Sequence, residues 1–157
     1  MDAGESRGRA PRVRDPATGE KVEARTARMG IIGQGYVGLP LLLEFGKAGF
    51  PVTGLDVDQS KLDKLACGES YIRHISHEAV QLLTQGGKLK LGAEFSAVTD
   101  LDCILICVPT PLSKNREPDI SYVLETGRAI APHLKKGALV VLESTTYPGT
   151  TDTDLRV

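Results

Sequence analysis

A chain of 157 residues, 41% of them hydrophobic, is long enough for one domain with a core of its own. Its 19 lysines and arginines against 20 aspartates and glutamates leave a net charge of −1, so it lacks the overall basic field that nucleic acid or an anionic membrane surface would select. It has no apolar run long enough to span a membrane and no secretory-signal core, and its three cysteines form no CxxC pair; together these point to a reducing, cytoplasmic setting.

Residues 1–28 are rich in both charges and poor in large apolar side chains. Such a stretch cannot bury enough surface to offset the entropy of ordering it, so a disordered N-terminal extension is expected there. The folded unit is expected over residues 29–157. Met29-Gly30-Ile31-Ile32 reads as its first strand, and Gly33-Gln34-Gly35-Tyr36-Val37-Gly38 follows at once. Residues 39–50, with Leu39, Leu41, Leu42, Leu43 and Phe45, read as a helix that Gly49 is placed to stop.

A glycine-rich turn between strand and helix gathers backbone N–H groups and a helix N-terminus around an anion. The first glycine makes the turn, the second lets a pyrophosphate approach the backbone, and the third lets helix and strand pack closely. Residues 51–55 read as the next strand, and Asp56 closes it at the expected spacing of about 20 residues. A carboxylate there accepts hydrogen bonds from an adenosine ribose and repels a 2′-phosphate, so the pattern points to NAD rather than NADP.

Residues 59–66 read as a short helix, 71–75 as a loop, 77–84 as another helix and 88–91 as a short strand. Residues 102–108 contain the consecutive apolar run that marks a strand buried on both faces of a parallel sheet. Cys103 and Cys107 face the same side of it and read as buried, inert thiols. Ile120, Val123, Leu124, Gly127 and Leu134 share one helical face, with Asp119 as the expected N-cap. Residues 138–142 make a last apolar strand. Strands alternating with helices predict a doubly wound parallel α/β sheet of Rossmann type, truncated before its last strand. Ligands of such sheets lie beyond the carboxyl ends of the strands, where the glycine turn, Asp56, Pro109-Thr110-Pro111 and Ser144-Thr145-Thr146 all fall.

Four motifs together resemble the UDP-glucose/GDP-mannose dehydrogenase family. They are the glycine motif with its following Leu39-Pro40, Gly54-Leu55-Asp56-Val57-Asp58, Val108-Pro109-Thr110-Pro111-Leu112, and Glu143-Ser144-Thr145-Thr146-Tyr147-Pro148-Gly149. Ser70-Tyr71-Ile72-Arg73-His74-Ile75 and residues 116–123 are most similar to the UDP-N-acetylglucosamine 6-dehydrogenases of that family. The resemblance covers residues 29–157 and only the N-terminal portion of the family's chain. It implies oxidation of the C6 alcohol of a UDP-sugar to a carboxylate with two NAD, in a homo-oligomeric enzyme.

The same resemblance implies roles for individual residues. Gly33, Gln34, Gly35, Tyr36, Val37 and Gly38 would cradle the cofactor, with Asp56 and Lys61 at its adenosine end. Val108, Pro109, Thr110 and Pro111 would line its groove. Ser144 and Thr145 would lie near the nicotinamide half, with Thr145 helping to hold the catalytic water. A surface lysine such as Lys61 is equally well read as simply solvated.

An oxidation of alcohol to acid needs a nucleophile for the aldehyde and a base for water. The family's cysteine, lysine and base glutamate belong to segments downstream of the matched region. Neither Cys67, Cys103 nor Cys107 is placed to substitute, and Glu143 reads as a polar strand-end residue. The chain alone is therefore expected to be inactive, its UDP-sugar substrate needing the C-terminal part. A stand-alone dinucleotide-binding module without turnover remains an alternative, as does a dehydrogenase of another substrate class on the same sheet. His74 and His77 show no metal-ligand pattern.

Overall fold

In a computed structural model of the protein, residues 15–113 and 116–155 are described. Four-residue strands alternate with helices: β1 (Met29–Ile32), β2 (Val52–Leu55), β3 (Leu89–Gly92), β4 (Cys103–Ile106) and β5 (Leu139–Leu142). They form one sheet in the order β3-β2-β1-β4-β5, and every neighbouring pair is parallel. Met29 lies between Val52 and Cys103, and Ile32 between Leu55 and Ile106, so the three central strands end level with one another. The chain runs outward from β1 on one side, then returns to β1 and runs outward on the other. That reversal opens a crevice above the carboxyl ends of β1 and β4.

Successive residues of β4 point to opposite faces, and each face has its own core. Cys103 and Leu105 join Ile31, Leu39, Leu42, Leu65 and Val80 under α2 (Gly38–Lys47), α3 (Gln59–Ala66) and α4 (His77–Gln85). Ile104 and Ile106 join Ile32, Leu55, Val98 and Ile130 under α5 (Ser121–Ile130) and a 3-10 turn over Phe95–Asp100. Burial of each large aliphatic side chain contributes about 1.5–3 kcal/mol. The doubly wound parallel sheet expected from the alternation is the fold observed.

Local signals set most helix ends. Asp58 accepts from Ser60 N at 3.0 Å and begins α3, and Ser76 accepts from Ala79 N at 3.2 Å and begins α4. Gly49, at φ +95°, ends α2 with the Phe50 N–H returning to the Phe45 carbonyl. Asp119 is not the N-cap of α5; Ile120 holds that position, and the Asp119 carboxylate reaches one residue further to Ser121 N at 2.9 Å. Leu134 falls beyond α5, after a short 3-10 turn over Ala131–His133.

The expectation of disorder over residues 1–28 fails where the structure describes them, and residues 1–14 lie outside the described residues. Pro16–Glu23 is a helix, α1, capped by the Asp15 carboxylate. One apolar side chain, Val22, packs against the core, and polar bonds add to it, which is why composition misjudged the helix. The Thr18 hydroxyl donates to the Gly137 carbonyl at 2.9 Å, and Lys21 Nζ donates to Asp102 at 2.8 Å. Ala27, just before β1, is fully buried. Beside α1, Asp102 also accepts from Lys135 Nζ at 2.8 Å and from Arg28 N at 2.9 Å. Burial opposes the charge on that carboxylate, but the Arg28 N–H and the two ammonium groups outweigh it and hold its pKa well below the usual range. Among the described residues, no helix is long and apolar enough to cross a membrane.

Candidate functional site

A groove of about 720 Å³ opens at the carboxyl ends of the central strands. Gly33, Gly35, Tyr36 and Val37 form its floor at the glycine turn, and Asp56 and Lys61 close one end. Val108, Pro109 and Thr110 line the exit from β4, and Ser144 and Thr145 line the exit from β5. Three expected residues lie off the groove. Gln34 is fully buried with its side chain turned inward, Gly38 is buried at the start of α2, and Pro111 is exposed further along its loop.

The three glycines of the turn meet three different demands. Gly33 has φ +93°, and a Cβ there would sit 2.7 Å from the Cys107 carbonyl oxygen. At Gly38 a Cβ would collide with the Gly33 carbonyl oxygen, so only glycine lets α2 start this close to β1. Around Gly35 the space is open, and the missing side chain leaves bare backbone at the groove. A pyrophosphate fits against that backbone, where any side chain would stand in its way. The residues present therefore suit a dinucleotide.

Asp56 follows β2 and is 7% exposed. Its Oδ2 accepts from Gln34 N at 2.7 Å, and its Oδ1 accepts from Asp58 N at 2.9 Å. Those bonds fix the carboxylate's plane while it still borders the groove, where further lone pairs remain for a ribose diol. Lys61 Nζ lies 3.5 Å from Oδ2, so this lysine is an ion-pair partner of Asp56 and not simply solvated. Across the groove, the Ser144 hydroxyl donates to the Val108 carbonyl at 2.7 Å and ties the ends of β5 and β4 together.

Sequence reasoning missed one wall. Tyr122, Glu125, Thr126 and Ala129 of α5 line the groove together with Phe95. Their spacing of three and four residues was a readable signal, but it describes a second, more polar face of a helix already assigned by its apolar one. Phe95 sits in a 3-10 turn, for which the sequence carries no periodic signal.

Of the described thiols, two are buried and neutral. Burial, with Glu143 nearby, pushes the Cys107 thiol up to about 12, and burial beside Asp102 raises Cys103. Neither can serve as a thiolate nucleophile at neutral pH. Cys67 is exposed at the end of α3, away from the groove. Glu143 is exposed at the end of β5 and borders the groove. Among the described residues, no cluster of His, Cys, Asp and Glu is placed to hold a metal ion.

Residues 27–156 match the model of the UDP-glucose/GDP-mannose dehydrogenase family, NAD binding domain. The chain belongs to that family. It is 39% identical to the UDP-N-acetyl-D-mannosamine dehydrogenase of Escherichia coli over 80% of this chain and 30% of that protein. The UDP-N-acetyl-D-glucosamine 6-dehydrogenase of Pseudomonas aeruginosa is 32% identical over 81% of this chain and 29% of that protein. Among solved structures, a ternary complex of GDP-mannose dehydrogenase from P. aeruginosa superposes with a TM-score of 0.76 at 33% identity, covering 82% of this chain and 30% of that one. The chain thus spans about 30% of the length of these curated relatives, and the shared part is the domain that binds NAD.

Proposed function

We propose that this chain is the NAD-binding portion of a nucleotide-sugar 6-dehydrogenase that oxidises the C6 alcohol of a UDP-N-acetylhexosamine to the carboxylate with two NAD. The groove at the sheet's reversal point, with bare Gly35 backbone at its floor and Asp56 at one end, is the observation that carries the reading. Relatives named for UDP-N-acetylmannosamine and for UDP-N-acetylglucosamine support the sugar class without choosing between the two epimers.

When bound, NAD supplies the hydride acceptor. In this reading, Gly33, Gly35, Tyr36 and Val37 seat the pyrophosphate, Asp56 takes the ribose hydroxyls and Lys61 holds Asp56 in place. Val108 to Thr110 support the middle of the cofactor. Ser144 and Thr145 face the nicotinamide half, where Thr145 holds a water. The nucleophile and the base come from the part of the enzyme that this chain does not cover, and both remaining cysteines of the core are too protonated to replace them. The complete enzyme is a cytoplasmic homo-oligomer in this reading.

The test is a calorimetric titration of the 157-residue chain with NAD, paired with an assay for NADH in the presence of each UDP-N-acetylhexosamine. Binding without NADH formation is expected. NADH formed by the chain alone would remove the claim that it is catalytically incomplete, and failure to bind NAD would remove the assignment of the groove. An enzyme carrying this domain that oxidises only UDP-glucose or GDP-mannose would overturn the sugar class.

A further inference from the structure

The Tyr71 phenol donates to the Gln34 carbonyl at 2.6 Å, in the middle of the glycine turn. Tyr71 does not line the groove. It belongs to the loop over residues 70–75, between α3 and α4, and that loop is itself held firmly. Ile72 is buried in the core, Ser70 N donates to His77 Nδ1 at 3.0 Å, and Ile75 N donates to the Ile72 carbonyl at 2.9 Å. A second attachment lies two residues further along the turn, where the Tyr36 and His74 rings stack with centroids 6.4 Å apart.

The two peptide groups flanking Gln34 are therefore each pinned once. The Gln34 N–H is fixed on Asp56 Oδ2, and the Gln34 carbonyl is fixed on Tyr71. There is no cis peptide bond among the described residues. In a trans peptide the carbonyl and the following N–H point in opposite directions. Drawing the Gln34 carbonyl toward Tyr71 therefore turns the Gly35 N–H the other way. A peptide followed by glycine is the easiest kind to flip, because glycine accepts either sign of φ. A flip here would reverse the peptide dipole and turn the Gln34 oxygen, instead of an N–H, to an approaching phosphate.

We propose that Tyr71 is a positioning residue for the cofactor, its phenol holding the peptide that joins Gln34 to Gly35 with the N–H presented to the pyrophosphate. The inference rests on the assignment of the groove to NAD. It also gives a task to the hydroxyl of a tyrosine whose ring packs against the core without lining the groove.

The test compares the full 157-residue chain with Y71F, which removes one oxygen and keeps the ring. Each protein is titrated with NAD, ADP-ribose and adenosine, by calorimetry for the first two and by NMR for the third, and the amide spectrum of Gly35 is recorded. Y71F is expected to weaken NAD and ADP-ribose about tenfold, to leave adenosine unchanged and to shift the Gly35 amide signal. Equal NAD affinity in the two proteins overturns the proposal. So does an equal loss for all three ligands, the result that a merely structural tyrosine gives. If the unmodified chain binds no NAD, the cofactor assignment fails and this proposal with it, a result that cannot be confused with an unaltered Y71F.

Discussion

Lys21 Nζ and Asp102 Oδ1 lie 2.8 Å apart, joining α1 to the residue that precedes β4. The Asp102 side chain is 4% exposed, whereas Lys21 is about half exposed. Loss of the two partners should therefore differ in cost. K21M is expected to cost under about 1 kcal/mol, because its partner keeps Lys135 and the Arg28 N–H. D102N breaks the whole cluster and should cost about 2–4 kcal/mol at neutral pH. Urea unfolding of the two variants measures the difference.

The same carboxylate sets a pH dependence. Its folded pKa lies below the ordinary value of 3.8, so its stabilisation is present at neutral pH and is lost as the pH falls below about 4. The stability gap between D102N and the unmodified chain should then narrow progressively in that acid range. Thermal melts at several pH values check it, and a gap independent of pH would show that the charge on Asp102 contributes nothing.

Gly35 and Gly38 should respond in opposite ways to alanine. G35A places a methyl group in open space and should fold normally while losing NAD affinity. G38A drives a methyl group into the Gly33 carbonyl and should destabilise the chain by about 1–3 kcal/mol, before any effect on binding is considered. Melting temperatures and NAD titrations of the two variants separate the effects.

Asp56→Ala is expected to weaken NAD binding by tenfold or more, since hydrogen bonds to a charged acceptor are lost. The preference for NAD over NADP should fall at the same time. Parallel titrations with both cofactors report it, and unchanged ratios would remove Asp56 from the ribose site.

The sheet, its order of winding and the glycine turn were legible because each rests on local pattern. The apolar run through Cys103 and Ile106, set among strand–helix alternations, marks a strand covered on both sides, and Gly33, Gly35 and Gly38 occur in the order of their tasks. Two kinds of feature were not legible. The bonds that anchor α1 run from Thr18 and Lys21 to residues more than eighty positions away, and no window of sequence contains both ends of such a bond. The Tyr122 and Glu125 wall of the groove is likewise made by packing α5 over the sheet, and only the fold brings it opposite Asp56.

Among the described residues, β5 pairs with β4 alone, and all four of its residues are partly exposed. An apolar strand with one free edge invites a second chain. The 157-residue chain is expected to self-associate as its concentration rises, which sedimentation or light scattering would detect; a sharp monomer across a wide concentration range would contradict it.

Four-residue strands make a shallow sheet, about 13 Å from one end to the other. The Asp102 cluster sits at the start of β4, and Cys107, at its other end, borders the groove. The molecule thus has two working ends that face opposite ways. A surface tether or a fluorophore attached at the exposed Glu20 or Glu23 of α1 would leave the groove turned toward solution, a ready orientation for a cofactor sensor.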